Sequence, residues 1–379
     1  MNRKIKLLFV IENSAYGGGE KVFSLLIRGL PKDRFELFCA ALPQGRFHEE
    51  VKDHCTFLAL DLGDKFNFGN IGRLRGMITE HGVDIVHSQG ARADFYCALA
   101  AAKTAAKAVA TVAMPVEGFD VCLVKKAAYM ALSAFAAKKF AAAITVSQPL
   151  AARLRGRYRA VELIPNPVDL AEFSPSNFDA GPVIERYGLR GRTVLAALGR
   201  LEWQKGYPHL LEAMKIVFEK EPALKEKLAC LIGGAGSLEK KLKKQAENIG
   251  LSNSVVFCGE ISNARDFLGA ADIFVMPSLR EGQPLALLEA MAMAKPIAAT
   301  DIPGIRETAA AGKEAVLVPP AAPEALAEAL LKLLRDMPAA LSMGASARAR
   351  AENFSLDAYV STHADLYTRF SMSAAGGAG

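Results

Sequence analysis

The sequence predicts an α/β protein of two doubly wound domains in tandem, and three observations carry that prediction. Short continuous apolar runs alternate with helical stretches along the chain, the pattern of parallel strands covered on both faces. The alternation occurs as two series, separated by a segment rich in Pro, Asn, Asp and Ser that begins at Ile164. With 379 residues, 51% of them hydrophobic, the chain can build two cores of ordinary size. We place an N-terminal domain at 1–166, completed by a C-terminal helix over 353–370. A second domain occupies 167–352, and 371–379 is read as a disordered tail of small residues.

Taken in order, the first strand spans 6–11. It follows basic residues and so imitates a signal peptide, but its apolar stretch ends at Glu12 with no small-residue cleavage site. Gly17, Gly18 and Gly19 then turn into a helix over 20–30. Strands over 35–42, 85–87, 108–112, 142–146 and 161–164 complete the first series. Thr193 opens the second, with strands over 193–198, 228–232, 255–257, 273–276, 296–300 and 315–318. Phe354, Leu356, Tyr359, Leu366, Tyr367 and Phe370 recur at spacings that suit a docked helix. No uninterrupted apolar run approaches the 18 or more residues of a spanning helix, so the chain is not expected to cross a membrane. Sheets of this kind bind ligands at the carboxyl ends of their strands, so two such domains facing each other would share one cleft.

Six cysteines (Cys39, Cys55, Cys97, Cys122, Cys230, Cys258) show no CxxC or zinc-like spacing, which argues for reduced thiols in a cytosol and against a metal site. The net charge of +6 is uneven: residues 1–165 carry 23 Lys and Arg against 15 Asp and Glu, the remainder 23 against 25. A basic front half points to an anionic partner, whether a membrane surface, an acidic acceptor or nucleic acid.

Chemistry concentrates in the second series. Glu281-Gly282-Gln283-Pro284-Leu285 leads into an apolar run that holds Glu289, and a carboxylate there must meet a partner or a polyhydroxylated ligand. With Pro284 as first helical residue, Glu281 stays on the loop and Glu289 lies about 7 Å along the axis, with free helix N–H groups between them. Hydroxyls at both ends and phosphate in the middle is the layout of a nucleotide sugar. After the strand over 193–198 comes Gly199-Arg200, then Lys205-Gly206, two cations on the loop over the sheet's carboxyl edge that can clamp a diphosphate. Glycine-rich turns follow two strands, at 17–19 and 233–236, and let backbone approach a phosphate. Neither completes GxGxxG, and the strand over 35–42 ends without a ribose-binding acid, which excludes a nicotinamide enzyme. No paired carboxylates stand at a strand end to hold a divalent metal.

These motifs together resemble retaining glycosyltransferases of family 4, which have the GT-B fold of two Rossmann-like domains facing across a cleft. The residues that carry the resemblance are Gly199-Arg200 with Lys205-Gly206, Gly234 and Gly236, Ala271 to Ser278, Glu281 with Glu289 and Met291, and Ile164 to Asp169. The resemblance spans 6–370. It implies a metal-independent, cofactor-free transfer of a sugar, with retention, from a UDP- or GDP-linked donor to a glycan or lipid-linked acceptor such as lipopolysaccharide or capsule. It implies no role for nucleic acid. Carried over, Arg200 and Lys205 hold the diphosphate, Glu289 the ribose and Glu281 the hexose. The backbone of Gly17, Gly18, Gly199, Gly234, Gly282, Gln283 and Leu285, beside Pro284, approaches sugar and phosphates. The base lies near Ile261. The N-terminal domain takes the acceptor, and the C-terminal helix returns to it.

The resemblance has one gap. Many members carry a His after the strand matching 108–112, where this chain reads Thr111-Val-Ala-Met-Pro115. His87, at a neighbouring strand end, is the candidate to replace it as a catalytic group. In the front half, Lys125, Lys126, Lys138 and Lys139 flank the apolar stretch 127–135, and Arg153, Arg155, Arg157 and Arg159 alternate, placing four guanidiniums on one side if extended. The expected location is cytoplasmic and peripheral on the inner face of the cell membrane, through these cations. The alternatives are a catalytically weak nucleotide-sugar-binding partner subunit and a GT-B-fold nucleotide-sugar epimerase.

Overall fold

A computed structural model describes residues 3–13, 16–64, 67–113 and 134–375. The chain divides into two compact units, Met1–Asn166 with Leu356–Gly379, and Pro167–Ser355.

Unit 1 is built on seven parallel strands: β1 (Ile5–Ile11), β2 (Phe35–Ala41), β3 (Thr56–Ala59), β4 (Ile85–Gln89), β5 (Lys107–Val112), β6 (Ala142–Thr145) and β7 (Val161–Leu163). Their order across the sheet is β3-β2-β1-β4-β5-β6-β7. Strand β3 escapes the sequence reading for a physical reason. It lies at the sheet's edge with both ends exposed, so it shows no continuous apolar run. The helix Leu356–Ala375 packs on the helix Gly18–Gly29 and on β1 and β4. The contact is so close that a Cβ on Gly29 would lie 2.6 Å from Val360 Cγ2. This helix continues through 371–375, where the composition predicts a disordered tail; 376–379 lie outside the described residues.

Unit 2 carries six parallel strands: β8 (Thr193–Leu198), β9 (Leu228–Gly233), β10 (Val255–Gly259), β11 (Ile273–Met276), β12 (Ile297–Thr300) and β13 (Val316–Val318). They run in the order β10-β9-β8-β11-β12-β13, so the winding reverses between β8 and β11. A doubly wound sheet opens a crevice at such a switch point, outside the carboxyl ends of its strands. Alternation along β8 builds the two cores: Leu195 and Ala197 enter one apolar cluster, Val194 and Ala196 the other. The first holds the helices Tyr207–Lys220 and Pro323–Arg335; the second holds Leu285–Ala292 with Ala347 and Ala351 of Met337–Ala351.

The structure corrects the basic stripe. The helix Gln148–Leu154 ends at Arg155, Gly156 turns with φ +80°, and the amides of Arg157 and Tyr158 both return to the Leu154 carbonyl. Arg153, Arg155, Arg157 and Arg159 are exposed, but on a helix end and a tight turn, so they do not share one edge of an extended segment. Lys125, Lys126 and 127–133 lie outside the described residues. Among the described residues no helix is long and apolar enough to cross a membrane.

Candidate active site

The loops after β8 and β11, on either side of the switch point, carry most of the residues singled out above. After β8 the chain passes through Gly199 to the short turn Trp203–Lys205 and into the helix Tyr207–Lys220. Backbone bonds lock this loop to the one after β9. The amides of Gly199 and Leu201 donate to the carbonyls of Gly233 and Ala235, and that of Leu238 donates to the Leu201 carbonyl. The loops lie so close that a Cβ on Gly234 would sit 2.0 Å from the Gly199 carbonyl oxygen, and one on Gly236 2.5 Å from that of Leu201. Gly234 is therefore demanded by loop-on-loop packing, with no ligand needed to explain it. Ile261 likewise is half-buried and lies against Gly233 and the apolar cluster.

On the other side, the Gln204 carbonyl accepts from the amides of Leu279 (2.7 Å) and Arg280 (3.3 Å), which fastens the two switch-point loops together. Gly206 takes φ +67°, and a Cβ there would lie 2.0 Å from the Pro277 carbonyl oxygen. The fastening brings Lys205 to Glu281: Nζ donates to Oε1 at 2.6 Å, with side chains 18% and 9% exposed. Ser278, fully buried, donates its hydroxyl to the same oxygen at 2.7 Å. In the sequence the only signal for this bond is the position of Ser278, three residues before the acid. The Lys205 stem lies along Gly199, where a Cβ would come 3.3 Å from Lys205 Cε. Arg200 is exposed and has no salt-bridge partner among the described residues.

Past Glu281, Gly282 is held over the next loop, its carbonyl 2.1 Å from where a Cβ on Gly304 would stand. Gln283 is buried. Pro284 caps the helix rather than opening it, with φ −78° and ψ 124°, so the first helical residue is Leu285. Glu289 is then the fifth residue of Leu285–Ala292 and only 6% exposed, among Leu287, Leu288 and Met291 at 0%. Gly199, Arg200, Lys205, Glu281, Gly282, Gln283, Pro284, Leu285 and Glu289 thus all belong to one unit, and within it Lys205 meets both Glu281 and Gly199.

Gly17, Gly18 and His87 belong to the other unit. Gly17 precedes the helix Gly18–Gly29, and its amide donates to the Glu20 carboxylate at 2.9 Å. His87 is corrected outright. It is 0% exposed, in the middle of β4, with Nδ1 2.6 Å from the Tyr367 hydroxyl and Nε2 2.7 Å from that of Thr111. Phe23 and His363 pack on its ring, and burial holds it neutral, well below its ordinary pKa. Both nitrogens are spent inside the core, so His87 is a core hub and no catalytic group. Met114 and Pro115, in the stretch that lacks the family His, lie outside the described residues. Among the described residues, no three His, Cys, Asp or Glu groups cluster as a metal site would need.

Residues 185–350 match the family Glycosyl transferases group 1, and residues 16–172 match Glycosyltransferase Family 4. The chain is similar to mannosylfructose-phosphate synthase of Agrobacterium fabrum, 31% identical over 181 residues, 45% of this chain and 39% of that protein. It is similar to the lipopolysaccharide core biosynthesis mannosyltransferase LpsB of Rhizobium meliloti, 29% identical over 56% of this chain and 63% of that protein. The chain spans about half the length of the curated relatives it matches. Its fold is that of Anabaena Alr3699/HepE, solved in complex with UDP-glucose: TM-score 0.84, 19% identity, 96% of this chain and 100% of that one covered. With each of its two halves matched and the fold shared end to end, the chain belongs to glycosyltransferase family 4, the group 1 glycosyl transferases of GT-B fold.

Proposed function

We propose that this chain is a retaining, metal-independent glycosyltransferase that moves a sugar from a UDP- or GDP-linked donor to a glycan or lipid-linked acceptor of the cell surface. The observation that carries the reading is the Lys205–Glu281 contact, with Arg200 exposed on the same loop after β8, at the switch point of a doubly wound sheet. Arg200 and Lys205 supply the positive charge that a departing diphosphate needs, and Glu281 and Glu289 supply acceptors for hexose and ribose hydroxyls. Stabilising the leaving diphosphate is the main catalytic task on this reading. The likeness to a lipopolysaccharide mannosyltransferase supports a surface glycan as product. Unit 1 takes the acceptor. Phe135, 51% exposed with Lys139 over its ring and Lys138 adjacent, supports docking on an anionic membrane from the cytoplasmic side.

A thermal-shift panel of UDP, GDP and their sugars, with EDTA, tests the donor assignment. We expect one nucleotide to raise the melting temperature by several degrees in EDTA and to do nothing for Glu289→Ala. No shift by any of them would remove the assignment. The burial of His87 favours one second reading, a donor-binding partner subunit without turnover, since it leaves no replacement for the family His. Release of free sugar from the donor in the absence of acceptor would exclude it.

A further inference from the structure

We infer that Glu281 discriminates against free nucleoside diphosphate, by exchanging Lys205 for sugar hydroxyls only when a sugar is attached. The inference rests on the donor-site reading above and goes beyond it. Glu281 Oε1 accepts from two donors, Lys205 Nζ at 2.6 Å and Ser278 Oγ at 2.7 Å. The pair is largely desolvated, so drawing Lys205 toward a phosphate strips the carboxylate of its counter-charge, and an unpaired carboxylate in such a place is costly. A sugar repairs the loss, because its hydroxyls donate to the vacated oxygen. A free β-phosphate does the reverse: it brings a further negative charge beside the carboxylate. The glutamate therefore lets a sugar-linked diphosphate in and works against the same diphosphate without its sugar. After transfer, Lys205 returns to Glu281 and the product loses its clamp.

The distinction from a plain hexose-binding role is its sign. A residue that only binds the sugar leaves affinity for free diphosphate untouched when mutated. Here Glu281→Gln, which cannot hold Lys205 as an ion pair and carries no charge, is expected to bind UDP or GDP about fivefold or more tightly than the native chain. Glu281→Ala must move binding in the same direction. Calorimetric titration of the full chain with UDP, GDP and inorganic pyrophosphate, in EDTA, reads this directly, with melting temperatures as the check on folding. Unchanged or weaker binding of all three probes by both folded variants overturns the inference. Lys205→Met separates the two layers. Weakened binding of the same probes leaves the clamp standing whatever Glu281 does, whereas native-like binding by Lys205→Met sinks the donor-site reading and this inference with it.

Discussion

A methyl group at position 206 meets the Pro277 carbonyl oxygen at 2.0 Å, in a residue whose φ of +67° already disfavours a side chain. Gly206→Ala is accordingly expected to cost about 2–4 kcal/mol and to loosen the bonds from Leu279 and Arg280 to Gln204. Chemical denaturation gives the cost, and nucleotide affinity should fall with it because Lys205 is the neighbouring residue. His87→Ala is expected to separate differently. It leaves the hydroxyls of Tyr367 and Thr111 without their buried partner and should cost about 2–3 kcal/mol, while turnover per folded molecule stays native. Loss of turnover without loss of stability would restore His87 to the chemistry. These two residues show what the sequence could and could not reveal. The meeting of Lys205 with Glu281 and the burial of Glu289 were legible because charge on a post-strand loop, or inside an apolar run, demands a reason. His87 misled because strand-end position says nothing about which core face the ring enters. Gly234 shows a second limit, because glycine permits close approach without naming what approaches, and here the Gly199 carbonyl does.

Among the elements, the helix Leu285–Ala292 carries Glu289, the carboxylate proposed to accept from the donor's ribose. At eight residues it is too short to persist alone, and its apolar residues run all round it, so neighbours must hold it. The helix Met337–Ala351 does so in two ways. Gly344 lets it approach until a Cβ would lie 2.2 Å from the Ala294 carbonyl oxygen, and Arg348 donates to the carbonyls of Ala292, Phe173 and Leu170. Gly344→Ala would stabilise a solvent-exposed helix by up to about 1 kcal/mol, but here it is expected to destabilise by about 1–3 kcal/mol. A raised urea midpoint would show that the two helices do not pack as described. Element type was readable wherever a strand is buried on both faces, as at 193–198 and 273–276, because a continuous apolar run survives in the sequence. It was lost where burial is partial, as in Thr56–Ala59, and where a glycine breaks an alternating run, as at Gly156.

At the scale of the molecule, the closing helix returns to a strand 280 residues away, and it does so through buried imidazoles. His363, fully buried with Nδ1 3.0 Å from the Tyr359 carbonyl, is pushed down to about 4 by desolvation, and His87 lies beside it in the same state. A histidine kept neutral in the fold but free to charge when unfolded makes the unfolded chain bind more protons between its two pKa values. Stability contributed by His363 is therefore lost as pH falls from about 6.5 to about 4, by an amount on the order of 3 kcal/mol. Asp94, also in unit 1, opposes this. Desolvation raises its carboxyl to about 7 against the pull of the Ser88 hydroxyl, so the folded state holds the extra proton and gains stability as pH falls through the same range. The native pH profile sums two opposite slopes and can look flat. Differences against variants separate them. Relative to the native chain, His363→Phe should become progressively more stable from pH 7.5 to pH 4.5, and Asp94→Asn progressively less. Urea unfolding at the two pH values, followed in unit 1, reads both. A difference for His363→Phe that does not change with pH would mean that the imidazole on the closing helix is not held neutral.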